Sequence, residues 1–514
     1  MVLFLLAFSV VLLPGKLAWA ETNNDLRQRA MQAMQAQDFA AARQAFLQLV
    51  QREPSAENYN YLATVEAADG QVDPAIVHLQ KSIQLGNNTA SAHYNLGILE
   101  MQAHRVDAAK TTFQQAIDLD PKYLAARYGL GVALLSSGHP REAAAAMEKA
   151  LEQTPHESRF WALLVSAQFA AGDSPKAVAS TQNAVQDFPD DARLDVTLAT
   201  ICLRYRVVQR ARELLEDANE LMPNDPEVAL LLAKASLMAG EPAEALAVLQ
   251  GMAPADRKSP ERLLLMGETR ALMGDLNSAA DDLRIALNDK PRDPECLAAY
   301  AWLQNLQGNF EAALSTLTKA RSILPQAPWV PYGMAVSYYF LGKFGQAEVA
   351  CQGVLQLDPK YAPAYMLRGL AKLKEKHFEG ARIDFARAVD LIPEDPLFHR
   401  ELGIALYDSG KAALASEQFD FALRGNPKDA EGYFWRAKSL QARGEKEKAI
   451  ADLNTVIELK PGYADAYTEL AQLYSETGNP SRAAEVLAQQ KQVGATSQPS
   501  GDDTILRILP DAAR

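Results

Sequence analysis

An all-α solenoid of helix-turn-helix units is the fold class this sequence predicts, on three observations. Alanine recurs every 34 residues in one unbroken series, from Ala75 through Ala211 and Ala347 to Ala483. Glycine recurs in a second slot of the same period, as Gly70, Gly138, Gly240, Gly342 and Gly478. Proline recurs in a third, as Pro121, Pro223, Pro359 and Pro461. Self-similarity at such a period means stacked supersecondary units that share one elongated core.

The stretch Pro328–Tyr361, PWVPYGMAVSYYFLGKFGQAEVACQGVLQLDPKY, is the clearest unit. Small residues at its positions 8 and 20, Ala335 and Ala347, let two helices approach closely. Gly342 at position 15 ends the first helix, where the backbone must turn to positive φ. Pro359 at position 32 stops the second helix and sets up the next unit. Met334, Tyr338 and Cys351, at positions 7, 11 and 24, supply the apolar face between them. These residues resemble the tetratricopeptide repeat (TPR) family, over nearly all of the chain after the first twenty or so residues. The resemblance implies a right-handed superhelical solenoid of about fourteen units, the last thirteen in one register.

From the start, residues 1–20, MVLFLLAFSVVLLPGKLAWA, read as a secretory signal peptide with an A-x-A cleavage site before Glu21. Its apolar core is too short to span a bilayer, and no integral membrane segment is expected after cleavage. Thr22–Ser55 is a degenerate first unit, one residue out of register. The first seven repeats occupy 22–257 and the second seven 258–493. Between them, Gly251–Pro260 carries its proline three places early, so the second helix should stop about a turn short. Two readings stand there, a longer surface loop or a hinge between halves. The last unit has a polar second helix, as a capping repeat requires. Residues 494–514 read as a flexible C-terminal tail with an apolar patch, Ile505–Leu509.

A net charge of −13 without a basic stripe argues against nucleic acid as partner. No catalytic residue is assigned, because H-E-x-x-H, C-x-x-C, P-loop and G-x-S-x-G patterns are all lacking. No metal or other cofactor is expected. His78, His93 and His104 read as surface polar positions. Cys202 and Cys351 sit in packing slots, and the three cysteines fall in different repeats, beyond disulfide reach.

The TPR resemblance implies that first helices line a concave surface through positions 2, 5, 9 and 12. The helical period independently gathers these four positions on one face. They hold Tyr94, Tyr128, Phe169, Trp302, Trp329, Tyr332, Val336, Tyr339, Met366, Tyr407 and Phe434. Such an aromatic face implies either a protein-binding groove or internal packing between successive first helices. The favoured function is a non-catalytic protein-protein interaction scaffold for an extended peptide or partner helix. Its setting would be a cell-envelope assembly or secretion complex, with the protein periplasmic or secreted. The alternatives are a carbohydrate-binding or sugar-processing protein using these aromatics, or a cytosolic adaptor if residues 1–20 are not a signal.

Overall fold

The computed structural model describes residues 22–493; residues 1–21, with the expected signal peptide, and 494–514, with the expected tail, lie outside them. Among the described residues the chain forms 28 α-helices and one short 3-10 turn, with no strand. The helices divide between two compact units, Met1–Pro223 and Asn224–Arg514. The first holds α1 (Asn23–Gln35) to α12 (Val208–Leu221), and the second α13 (Pro226–Met238) to α28 (Pro480–Val493).

Each unit is a stack of antiparallel helix pairs, of which α5 (Ala90–Gln102) and α6 (Val106–Leu119) are representative. Every alanine of the period-34 series is buried, Ala75 and Ala347 completely. The reason for the small residue at position 8 is a large one at position 24. A Cβ built on Gly97 would stand 2.6 Å from the Phe113 ring, and one on Gly403 2.6 Å from Phe419. Glycine there lets an aromatic side chain fill the interior of the pair.

The turn after the first helix uses the left-handed backbone region in every unit where glycine fills position 15, as at Gly342 (φ 71°). Four units keep that geometry without glycine: Gln37 (φ 58°), His104 (φ 57°), Arg206 (φ 59°) and Lys376 (φ 61°). The tight turn therefore belongs to the repeat, and these side chains pay its steric strain.

A second rule was not legible at position 11, which the sequence assigns to aromatic or aliphatic residues. In several units, position 11 instead makes a polar pair with position 23, twelve residues on. His78 Nδ1 lies 2.6 Å from Glu66 Oε2, and Thr112 Oγ1 donates to Glu100 Oε2 at 2.8 Å. Thr316 donates to Gln304 at 2.8 Å, Arg270 to Asp282 at 2.5 Å and Lys372 to Asp384 at 2.7 Å. Burial pushes the Glu100 and Asp282 carboxyls upward. Each pair satisfies polar groups that would be costly to leave buried alone.

The joint at 251–260 lies inside the second unit. Helix α14 (Pro242–Gly251) spans 10 residues, against 14 in α16 (Leu276–Asp289), so it does stop a turn early. A 3-10 turn, Asp256–Lys258, then leads into α15 (Pro260–Leu272). Arg262 closes the gap: its Nε donates to the Leu249 carbonyl at 2.7 Å and its Nη1 to the Arg257 carbonyl at 2.8 Å. The Leu249 carbonyl, one of those left over by the missing turn, thus has a donor.

Candidate protein-binding face

The aromatic residues at positions 2, 5, 9 and 12 do come to one side of their helices, but most of them are packed. In the second unit Trp302, Trp329, Tyr332, Val336, Tyr339, Met366 and Phe434 are all buried. Trp302 joins Leu264, Leu283 and Cys296 in one cluster, and Trp329 joins Leu297 and Met334 in another. Tyr332, Val336, Tyr339 and Met366 belong to a larger cluster with Tyr361, Leu370 and Ile404. The Tyr332 and Tyr361 rings lie 5.2 Å apart, and Lys374 Nζ sits 5.9 Å from the Tyr339 ring. Of the two sequence readings of these side chains, internal packing describes their environment. Val336, Leu370 and Ile404, at position 9 of three successive units, share that larger cluster, so an apolar side chain there stabilises the stack by removing area from water.

Tyr407 is half-buried against the Trp435 ring, 5.7 Å away. In the first unit Phe169 is buried and stacked on Tyr205, at 5.1 Å and 14°. Tyr94 and Tyr128 are half-buried, Tyr94 packing edge-on to Tyr123 and Tyr128 stacking on Phe160.

The same face of the first unit carries an open cleft of about 280 Å³, which the aromatic pattern did not point to. It lies between α3 (Ala56–Ala68) and α5, on Asn60, Thr64, Asn95, Ile98 and Gln102. Asn95, Thr64 and Gln102 are exposed, and Asn60 is half-buried, accepting from Asn87 Nδ2 at 3.2 Å. The signal in the sequence was faint: three carboxamides at positions 5, 6 and 13 of adjacent units. Such side chains both donate and accept, which suits the alternating amides and carbonyls of an extended peptide.

The histidine reading needs a correction. His93 is buried rather than a surface residue, because its Nε2 lies 2.8 Å from Asn88 Oδ1 and burial holds its imidazole below the ordinary range. His78 is half-buried in its pair with Glu66, and His104 is exposed. Among the described residues, three donor groups do converge elsewhere: Glu348, Glu375 and His377, mostly exposed. Burial and a hydrogen bond with the neighbouring Glu375 push the Glu348 carboxyl above its ordinary range. Cys202, Cys296 and Cys351 are all free and buried, and burial raises the Cys202 thiol to about 11 and Cys296 to about 12. Such thiols pack as small hydrophobes. No helix among the described residues is long and apolar enough to cross a membrane.

Models of the tetratricopeptide repeat match residues 27–88, 100–167, 168–234, 208–269, 305–373, 400–464 and 440–498. The chain belongs to the tetratricopeptide repeat family. RNA polymerase II-associated protein 3 of Homo sapiens is 29% identical over 148 residues, which cover 28% of this TPR chain and 21% of that protein. Interferon-induced protein with tetratricopeptide repeats 3 of Mus musculus is 24% identical over 209 residues, covering 36% of this chain and 51% of the relative. The TPR chain therefore spans between a fifth and a half of these relatives' lengths. A crystal structure of the APC/C hetero-tetramer Cut9-Hcn1 matches with a TM-score of 0.50 at 17% identity. That match covers 94% of this chain and 96% of the other, and it is a likeness of fold.

Proposed function

We propose that this TPR protein is a non-catalytic protein-interaction scaffold that takes an extended peptide, or a partner's helix, along the first-helix face of its first unit. The observation that carries the reading is the open cleft on Asn60, Thr64, Asn95, Ile98 and Gln102. Exposed carboxamides beside one apolar side chain offer backbone recognition together with a pocket for a side chain. Membership of a repeat family whose units form continuous surfaces supports the same reading. The sugar-platform alternative loses its basis in the second unit, since Trp302, Trp329 and Tyr339 have no open ring face on which a sugar could stack.

The test is selection of a random-peptide library on the purified full chain, followed by affinity measurements with labelled peptides. Selected peptides should lose at least tenfold in affinity for an Asn60→Ala, Asn95→Ala variant of unchanged melting temperature. Equal binding to both proteins would move the interface off this face.

The protein is also proposed to act outside the cytoplasm, in the periplasm or an envelope-bound complex. Support comes from residues 1–20 alone: an apolar core broken at Pro14-Gly15 and closed by Ala18-Trp19-Ala20. Sequencing the N-terminus of protein purified from its native cells should return Glu21. A cytosolic chain that retains residues 1–20 would reject export and leave an adaptor of the cytoplasm.

A further inference from the structure

The first-helix face of the last three repeats differs from the packed aromatic face that precedes it. It is built by α23 (Pro396–Asp408), α25 (Ala430–Ala442) and α27 (Ala464–Glu476), all within the second unit. Tyr407 lies in the last turn of α23, and Trp435 stands at position 6 of its unit, outside the four positions that the repeat pattern singles out. Their rings lie 5.7 Å apart at 60°, and both side chains are only half-buried. Unlike Trp302, Tyr332 and Tyr339, this pair keeps surface open to water.

A cation of the protein's own shows what these rings attract. Lys438 Nζ sits 5.8 Å from the Trp435 ring and 5.8 Å from the Phe434 ring, and it donates to Glu469 Oε1 at 3.2 Å. One ammonium thus uses aromatic rings and a carboxylate together. A second carboxylate stands beside it. Asp408 follows Tyr407 in the chain, is exposed, and has no ion-pair partner among the described residues. The cation near enough to act on it is Lys438, whose hydrogen bond goes to Glu469.

The same imbalance recurs along the face. Arg400 is buried among three carboxylates: Glu401 at 3.0 Å, Asp429 at 3.3 Å and Glu431 at 3.6 Å. With Asp408 and Glu469 beside Lys438, five carboxylates meet two cations. Burial raises the Glu401 carboxyl, and with that group neutral the surplus is still two. Surplus negative charge beside rings open to water is complementary to a cationic guest.

We propose that this face is a docking site for a basic peptide segment, with an arginine laid against the Tyr407 and Trp435 rings and bonded to the Asp408 carboxylate. A guanidinium is planar, so it stacks on a ring while its N–H fork donates to a carboxylate. An ammonium has no such plane, so arginine is preferred to lysine at this point. The surplus charge around Arg400 attracts further basic residues of the same segment. The face is separate from the one around Asn60 and Asn95 in the first unit, and it stands or falls independently of it.

The probe is a labelled acetyl-Gly-Arg-Leu-Arg-Gly-amide peptide, titrated with the full chain by fluorescence anisotropy. It should bind saturably. The same peptide with citrulline for arginine, alike in shape but uncharged, should bind at least tenfold more weakly, and the lysine counterpart at least threefold. Asp408→Asn and Trp435→Ala should each weaken the arginine peptide at least tenfold. Glu417→Gln, the same loss of charge at an exposed site on α24 (Ala412–Gly425), should leave it within twofold. Because Asp408 is exposed, its variant tests the site even where Trp435→Ala disturbs packing. Absence of saturable binding to the wild type would overturn the proposal, as would equal binding of the citrulline or lysine peptide. Undiminished binding to Asp408→Asn would overturn it too, and so would an equal loss in Glu417→Gln, which would reduce the attraction to overall net charge.

Discussion

Arg262 Nε donates a 2.7 Å hydrogen bond to the carbonyl of Leu249, across the place where helix α14 ends a turn early. The guanidinium is buried and reaches the Arg257 carbonyl with its other end. A joint that looks loose in sequence is therefore fastened by one side chain from the next repeat. Arg262→Ala should destabilise the second unit by about 1–3 kcal/mol, the usual cost of unpairing buried acceptors. Limited proteolysis should then cut within 251–260. A variant as resistant as wild type would mean that the apolar contacts of Met252 and Leu249 hold the joint unaided.

Asp384 is 2% exposed and lies between two cations, with Arg368 Nε at 2.8 Å and Lys372 Nζ at 2.7 Å. Its hydrogen bonds raise the Arg368 guanidinium above its ordinary range. Removing the shared carboxylate leaves two cations uncompensated, so Asp384→Ala should cost about 3–5 kcal/mol in denaturant unfolding. The triple variant Arg368→Met, Lys372→Leu, Asp384→Leu should recover most of that loss. Failure to recover would assign the site a packing role that apolar side chains cannot fill.

Lys376 holds φ 61° at the turn where other units have glycine. A side chain in that region costs about 1–2 kcal/mol, partly offset by the extra chain entropy glycine loses on folding. Lys376→Gly and Arg206→Gly should each raise stability by about 0.5–1 kcal/mol. The reverse change, Gly342→Lys, should lower it similarly. Melting curves of the three variants check the sign.

Glu268 is buried at position 9 of its unit, and burial lifts its carboxyl to about 8, with Lys234 opposing and Glu295 adding to the shift. The folded state therefore binds a proton that the unfolded state releases near the usual glutamate value. Stability from this group is fully present at low pH and is lost as pH rises from about 4.5 through about 8. Asp195, raised to about 6 chiefly by burial, acts with the same sign over a lower window. Wild type should melt at a higher temperature at pH 5.5 than at pH 8.5, and Glu268→Gln should flatten that difference. A slope unchanged in the variant would mean that Glu268 is charged in the fold.

Local chemistry was enough to read the repeat. Ala347, Gly342 and Pro359 each satisfy a requirement internal to one helix pair, and the early Pro254 announced the short helix α14. The polar pairs at positions 11 and 23 were also present as residues, but Glu66, Gln304 and Lys372 share no residue type, so no repeat pattern disclosed them. Only side-chain proximity makes them one feature.

The sequence by itself determined the succession of helix pairs, their caps and the residues on each helix face, because these follow from spacing along a single chain. Tertiary structure decided whether a given face meets water. Trp302, Tyr332 and Tyr339 share the first-helix face with Asn60 and Asn95, yet the former are buried and the latter pair borders an open cleft. The difference is how closely neighbouring first helices pack, and that is set by the summed shapes of side chains from separate repeats.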